Sequence, residues 1–400
     1  MIRMQEWLTD DIFLTSNKNI TQMKNLPVRP VFDEEVCEFI DEISKVIMKN
    51  HVARKYPDII TFAYFCRKAN IEKLKSKYRK KNRLGRGLCF QIAPSNIPII
   101  FAYSMIAGIL AGNAVIVKVS SKQYEQTRII CETIKQVQKS VGSYIAEYIA
   151  VVQYDNASKW TEYLSSVCDI RVIWGGDSTI NQIRNYKLSP RAVELTFANR
   201  YSICIMCAKE VLAVKDWNKL SREFYNDTFL YDQNACSAPR LIYWIGTEQE
   251  IRCAQDIFWN QMYKYIKPIY SYESVIAVDK LIMDYRVAIE NEGVKLKTCD
   301  NLIHRIGLSD LDIDITKYMC AGGLFLEYGD LDITSLEKLV DLRCQTLVYF
   351  GFDPDSILKW IRKAGLKGID RVVPIGRAAD FSFVWDGFDL IESMSREICY

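Results

Sequence analysis

Residues 91–122 constrain this chain more than any other stretch. A strand-like run ends at Ala93, and a polar turn follows through Pro94-Ser95-Asn96-Ile97-Pro98. A helix built largely of small residues then leads into a second strand at 114–119. Ala102, Ala107, Gly108, Ala111 and Gly112 leave that helix little side-chain bulk, so it can lie close against a sheet or a ligand. The second strand closes on Lys118-Val119-Ser120-Ser121-Lys122. In an open α/β sheet the carboxyl ends of strands are where nucleotides dock. An ordinary buried βαβ unit is the plainer reading of the same pattern, and spacing alone leaves both open.

The alternation extends in both directions. Residues 1–84 read as a helical region whose clearest amphipathic stretch is 34–49. Strands are predicted at 88–93, 114–119, 149–153 and 170–174, with helices at 102–112, about 122–139 and 156–166. From about 200 a second series begins: a strand at 201–207, a helix at 217–229, a cysteine-bearing loop, a strand at 241–244 and a helix at 251–265. Short apolar strands alternating with helices imply an α/β protein with a parallel sheet covered on both faces. No internal repeat or low-complexity tract interrupts the pattern.

With 400 residues, 49% of them hydrophobic, the chain is long enough for two domains with sizeable cores. The net charge of +3 and the absence of a long Lys/Arg run argue against a nucleic-acid face. The basic cluster Tyr78-Arg79-Lys80-Lys81-Asn82-Arg83 reads as a solvated linker, with a phosphate-rich ligand such as coenzyme A as the alternative. Residues 1–7 are too polar for a signal peptide and no apolar run reaches membrane-spanning length, so a cytoplasmic protein is expected. Thirteen cysteines without fixed spacing argue for thiols, not disulfides. Cys204 and Cys207 form a C-x-x-C, but strand alternation sends their sulfurs to opposite faces and only His51 and His304 offer imidazole. No metal site is predicted.

One cysteine stands apart. In Asp232-Gln233-Asn234-Ala235-Cys236-Ser237-Ala238-Pro239-Arg240, Cys236 sits among polar neighbours, whereas structural cysteines usually lie in apolar runs. Together with the turn around Asn96, this block resembles the aldehyde dehydrogenase superfamily, and within it the LuxC-type acyl-CoA reductases. Further pieces in the same order are Trp174-Gly175-Gly176-Asp177, Arg200-Tyr201-Ser202, Pro374-Ile375-Gly376-Arg377 and Trp385-Asp386-Gly387. The resemblance covers roughly 85–400 and is weaker before 84. It implies an aldehyde-dehydrogenase-like fold: residues 1–84 as part of the cofactor lobe, 85–199 as an NADP(H)-binding domain, 200–373 as a catalytic domain carrying the cysteine, and 374–400 as a segment returning to the domain interface. It also implies a homo-oligomer acting on acyl-CoA or another acyl thioester, delivered by an acyl-protein synthetase or acyl carrier protein.

Roles follow from the resemblance and from chemistry. Thiolate attack on a thioester exchanges sulfur leaving groups of similar pKa, which suits Cys236 as nucleophile. Backbone amides, a helix terminus or Arg240 are candidates for lowering its pKa. Asn96, held in a rigid turn, is suited to donate to the oxyanion alongside the Cys236 backbone N–H; the alternative is a cap of the following helix. The superfamily's water-activating glutamate is missing, because its place falls near Thr196-Phe197-Ala198-Asn199, with Glu194 two residues off. Gln91 stands where relatives often have histidine. Lys118 corresponds to a family lysine that reaches the adenosine ribose. Ser121, followed by Lys122, replaces the glutamate that chelates ribose hydroxyls in NAD-preferring relatives, so NADPH is the expected cofactor; a solvated strand end is the alternative. Ser120 lies beside them, and Gly175, Gly176, Asp177 and Ser178 open a helix that can face pyrophosphate or ribose. Gly85-Arg86-Gly87 lacks a third glycine and reads as a turn. An NADPH-dependent, aldehyde-forming acyl-thioester reductase is the leading reading. An aldehyde-oxidising dehydrogenase and a non-reducing acyl-accepting protein remain as alternatives.

Overall fold

A computed structural model describes residues 12–17, 19–78, 82–140, 144–298 and 300–399. Arg79, Lys80 and Lys81 of the basic cluster, and residues 1–7 read for a signal peptide, lie outside these. The chain divides into two compact units, Met1–Ala198 with Phe388–Tyr400, and Asn199–Gly387.

The first unit is built on five strands: β1 (Leu88–Ile92), β2 (Ala114–Lys118), β3 (Ile149–Val152), β4 (Ile170–Trp174) and β5 (Val193–Phe197). All neighbours are parallel, in the order β3-β2-β1-β4-β5. Strands β1, β3 and β4 are buried along their full length, as strands covered on both faces must be. The covering helices include α1 (Glu34–Lys49), α2 (Ile100–Leu110), α3 (Glu125–Ser140), α4 (Trp160–Val167) and α5 (Asp177–Arg184).

The small residues of α2 do what their size allows. A Cβ on Gly108 would stand 2.6 Å from the Gln91 amide nitrogen and 3.0 Å from Val115, so the helix meets β1 and β2 at a distance only glycine permits. Gly112 turns the chain into β2 with φ +89°, and a Cβ there would strike the Arg29 carbonyl. Gln91 is fully buried and donates to the Ser104 carbonyl at 3.0 Å, clamping β1 to α2. The C-terminal segment adds a short strand, Ser395–Glu397, antiparallel to Arg83–Gly85.

The second unit holds a seven-stranded sheet. Its strands are β6 (Tyr201–Cys207), β7 (Pro239–Ile245), β8 (Lys295–Thr298), β9 (His304–Gly307), β10 (Leu324–Asp330), β11 (Cys344–Phe350) and β12 (Arg371–Pro374), in the order β12-β11-β6-β7-β10-β9-β8. Every pair is parallel except β8 with β9. Two cores flank the sheet, and alternation divides β6 between them: Ile203 and Ile205 enter one, Cys204 and Met206 the other. The helices are α6 (Trp217–Thr228), α7 (Glu248–Ile266), α8 (Ser274–Glu290) and α9 (Pro354–Ala364), besides shorter turns. Among the described residues no helix is long and apolar enough to cross a membrane.

Candidate active site

The loop between α6 and β7 presents Cys236, and its shape is over-determined. Asp232 and Gln233 both adopt left-handed backbone, φ +50° and +59°, which costs non-glycine residues energy and persists only where surroundings enforce it. The enforcing group is the Gln233 side chain. It is fully buried, accepts from the Gly323 and Leu324 amides at 3.0 and 3.1 Å, and donates to the Pro239 and Leu324 carbonyls at 3.0 and 2.9 Å. Tyr270 donates to Asp232 at 2.8 Å, and the Ser202 hydroxyl to the Cys236 carbonyl at 2.7 Å. The Arg240 guanidinium is buried and donates to the carbonyls of Gln233 and Cys320. Arg240 thus holds the loop, and its buried charge also acts on the Cys236 sulfur.

The half-buried Cys236 sulfur accepts a hydrogen bond from the Gln345 amide nitrogen at 3.1 Å. The same nitrogen donates to the Asp386 carboxylate. Arg200 lies 3.8 Å from Asp386 and pairs with Asp370 at 2.8 Å. Burial, and then the Asp386 charge, push the Cys236 thiol up to about 11; the Gln345 hydrogen bond, its own backbone amide and Arg200 act in the opposite direction. Asp386 is itself raised above the usual carboxylate range by burial, against the pull of Arg200 and Gln345. At neutral pH the resting sulfur is a thiol.

Neither Gln345 nor a role for Asp386 is legible in the sequence alone. Gln345 lies inside the buried strand β11, and Asp386 is the middle residue of a recognised tripeptide without an evident task. The piece 374–377 is anchored by Asp227, whose carboxylate accepts from the Gly376 and Ala378 amides at 2.6 and 2.8 Å.

In the first unit, Asn96 is exposed in the bend between β1 and α2. The cap of α2 is Ile99, with no side-chain cap hydrogen bond, so the structure does not use Asn96 as that cap. Lys118 closes β2, donates to Asn156 at 2.6 Å and lies over the Tyr154 ring; burial lowers its pKa. It lines a small cleft with Ile92, Asn156, Thr179 and Gln182, whose lining includes no carboxylate. That cleft is lined by the carboxyl ends of β1 and β2, by residues beyond β3 and by α5, on the edge of the sheet where open α/β proteins hold ligands; strand order reverses between β1 and β4. Gly176 caps α5 without a side-chain cap bond, Gly175 is half-buried, and Asp177 and Ser178 are exposed in its first turn.

Ser121 and Lys122 are exposed beyond β2, and the Lys122 amide bonds the Ser120 hydroxyl at 3.2 Å. Lys122 lines a different cleft, with Tyr124, Thr127 and Arg128, so the two lysines expected to act together do not share one. Glu194 is gripped by Arg171 and by Arg184 at 2.8 Å, and those partners hold its carboxyl below the ordinary range against the opposing effect of burial. It is an ion-pair member, not a poised base. Gln91 belongs to the interior of the first unit's core.

Comparison with known proteins identifies the lineage. A family model described as acyl-CoA reductase (LuxC) matches residues 5–267, well over half of the chain. The long-chain acyl-protein thioester reductase of Aliivibrio fischeri is 24% identical over 162 residues, 40% of this chain and 32% of that protein. That of Vibrio harveyi is 27% identical over 168 residues, 41% of this chain and 33% of that protein. The matched stretch thus spans about a third of the length of these curated relatives. Among solved structures, a methylmalonate-semialdehyde dehydrogenase from Oceanimonas doudoroffii superposes with TM-score 0.68 at 11% identity, covering 94% of this chain and 86% of that one. An NAD-dependent benzaldehyde dehydrogenase from Corynebacterium glutamicum gives TM-score 0.64 at 11% identity, covering 91% and 84%. These likenesses establish the aldehyde dehydrogenase fold. With that fold and a family match across most of its length, the chain belongs to the LuxC family of acyl-CoA reductases.

Proposed function

We propose that the protein reduces an acyl thioester to an aldehyde through an acyl-enzyme on Cys236, with NADPH as reductant. The observation that carries this reading is a cysteine on a pinned, strained loop, its sulfur hydrogen-bonded by Gln345, in a chain of this family. Cys236 Sγ attacks the thioester carbonyl carbon. The new C–S bond forms, the original C–S bond breaks, and the departing thiol leaves with the proton from Cys236. Asn96 and the Cys236 backbone N–H would steady the oxyanion. Bound NADPH would supply a hydride to the acyl carbon. A proton then completes the thiohemiacetal, whose C–S bond breaks to release aldehyde and restore Cys236.

The first unit suits the nucleotide. Its cleft offers Lys118 and neutral donors at the carboxyl ends of β1 and β2, next to the first turn of α5. Ser121 in place of a carboxylate, with Lys122 beside it, favours a 2′-phosphate over bare ribose hydroxyls. An oxidising dehydrogenase is disfavoured, because Glu194 is held by two arginines and water activation would drain the acyl-enzyme. The acyl donor is coenzyme A, a carrier protein or an acylated partner such as an acyl-protein synthetase.

Replacing Cys236 by Ala tests the reading. Both acylation and acyl-CoA-dependent NADPH oxidation should vanish while NADPH binding persists, and Cys204→Ala should retain activity. Appreciable NADPH oxidation by Cys236→Ala would overturn the assignment. Rapid acyl labelling of wild type with no NADPH consumption would instead identify a non-reducing acyl acceptor.

A further inference from the structure

Helix α8 is inside out. Its inward side carries Lys280, fully buried and donating to the Gly322 and Asn301 carbonyls, and Asp284, 2.6 Å from His304 Nδ1. Its outward side carries Val275, Val278, Leu281, Ile282, Tyr285 and Ile289, between 48% and 83% exposed. Five of these, at 275, 278, 282, 285 and 289, alternate spacings of three and four, the seam of a helix pair. A helix that buries charge and turns an apolar seam to water calls for a covering surface.

We propose that this face packs against the same face of a second copy of the chain, the two α8 helices running antiparallel about a two-fold axis. Charge selects this occupant. Asp279 and Arg286 flank the seam on one side, and Leu281 and Ala288 on the other. In an antiparallel pair each side meets its own counterpart, so Asp279 of each copy faces Arg286 of the other, twice. A parallel pair would set Asp279 against the apolar side. Arg286 also bonds Glu290 at 2.9 Å within its own helix, so the cross-pair fixes orientation more than affinity. At roughly 100 Å² apiece, the six apolar side chains supply most of the about 800 Å² per partner that a specific interface buries.

Sedimentation velocity on the full chain provides the test. Wild type should sediment as a dimer or an assembly of dimers, and Ile282→Glu should raise the dissociation constant at least about 30-fold with an unchanged circular dichroism spectrum. Asp279→Arg and Arg286→Asp each place like charges together twice and should weaken association roughly tenfold. Mixed in equal amounts, these two variants should associate like wild type, since every contact then joins opposite charges. The mixing experiment stands even if Ile282→Glu fails to fold. A monomeric wild type at micromolar concentrations, a mixture no more associated than its components, or a face that binds only a different protein overturns the proposal.

Discussion

Cys236 is the residue on which the proposed chemistry turns, and its neighbours set how readily it ionises. Gln345 gives one amide nitrogen to both the sulfur and Asp386, so it stabilises a thiolate while tying it to a carboxylate that opposes one. Removing the carboxylate should lower the thiol pKa, and removing the amide should raise it further. At pH 8, alkylation of Cys236 should therefore be roughly 3–10-fold faster in Asp386→Asn and slower in Gln345→Leu, since only the thiolate reacts. In wild type the rate should climb with pH towards about 11. Slower alkylation in Asp386→Asn would remove Asp386 from the site's electrostatics. The proposed nucleophile stands out in the sequence because a cysteine between Ala235 and Ser237, among Asp, Gln and Asn, breaks the apolar habit of buried thiols. Its modulators are not legible, because they arrive from β11 and from a loop 150 residues downstream of it, joined only by tertiary folding.

At the scale of elements, the loop 232–240 depends on one side chain. Gln233 satisfies four buried backbone groups and holds two strained residues in place. Gln233→Ala would strand those groups without partners and open a cavity. The second unit should lose about 3 kcal/mol, read as a lower urea midpoint. A change under about 0.5 kcal/mol would mean water replaces the amide without loss. Four of the first sheet's five strands are read to within a residue from sequence, because burial on both faces leaves mainly apolar runs bounded by polar turns, whereas the half-exposed edge strand Val193–Phe197, with Glu194 and Thr196, is missed. Later elements are less visible. The edge strand Lys295–Thr298 is exposed throughout and carries no apolar pattern, and α8 buries Lys280 and Asp284 where a reader of periodicity expects aliphatic residues.

Taken whole, the molecule carries a net charge of only +3, so no long-range field draws an anionic cofactor in. On the proposed reading, discrimination between NADPH and NADH would come from a few local cations, and these differ in setting. Lys118 is half-buried against Asn156 and Tyr154, whereas Lys122 is exposed and lines a separate cleft. A buried charge is weakly screened by salt and an exposed one strongly. If Lys122 reads the 2′-phosphate, Lys122→Ala should weaken NADPH more than NADH, and that difference should shrink as salt rises. Ser121→Glu sets a negative charge beside the phosphate and should move the ratio of kcat/KM towards NADH by about 5–150-fold, or 1–3 kcal/mol. Lys118→Ala should instead weaken both cofactors to a similar degree, with little salt dependence, if its half-buried side chain meets the part of the nucleotide that both share. The measurement is kcat/KM for both cofactors at two ionic strengths across the three variants. Wild-type preference for NADH, or a Ser121→Glu ratio unchanged from wild type, would show that the 2′-phosphate is not read at the end of β2.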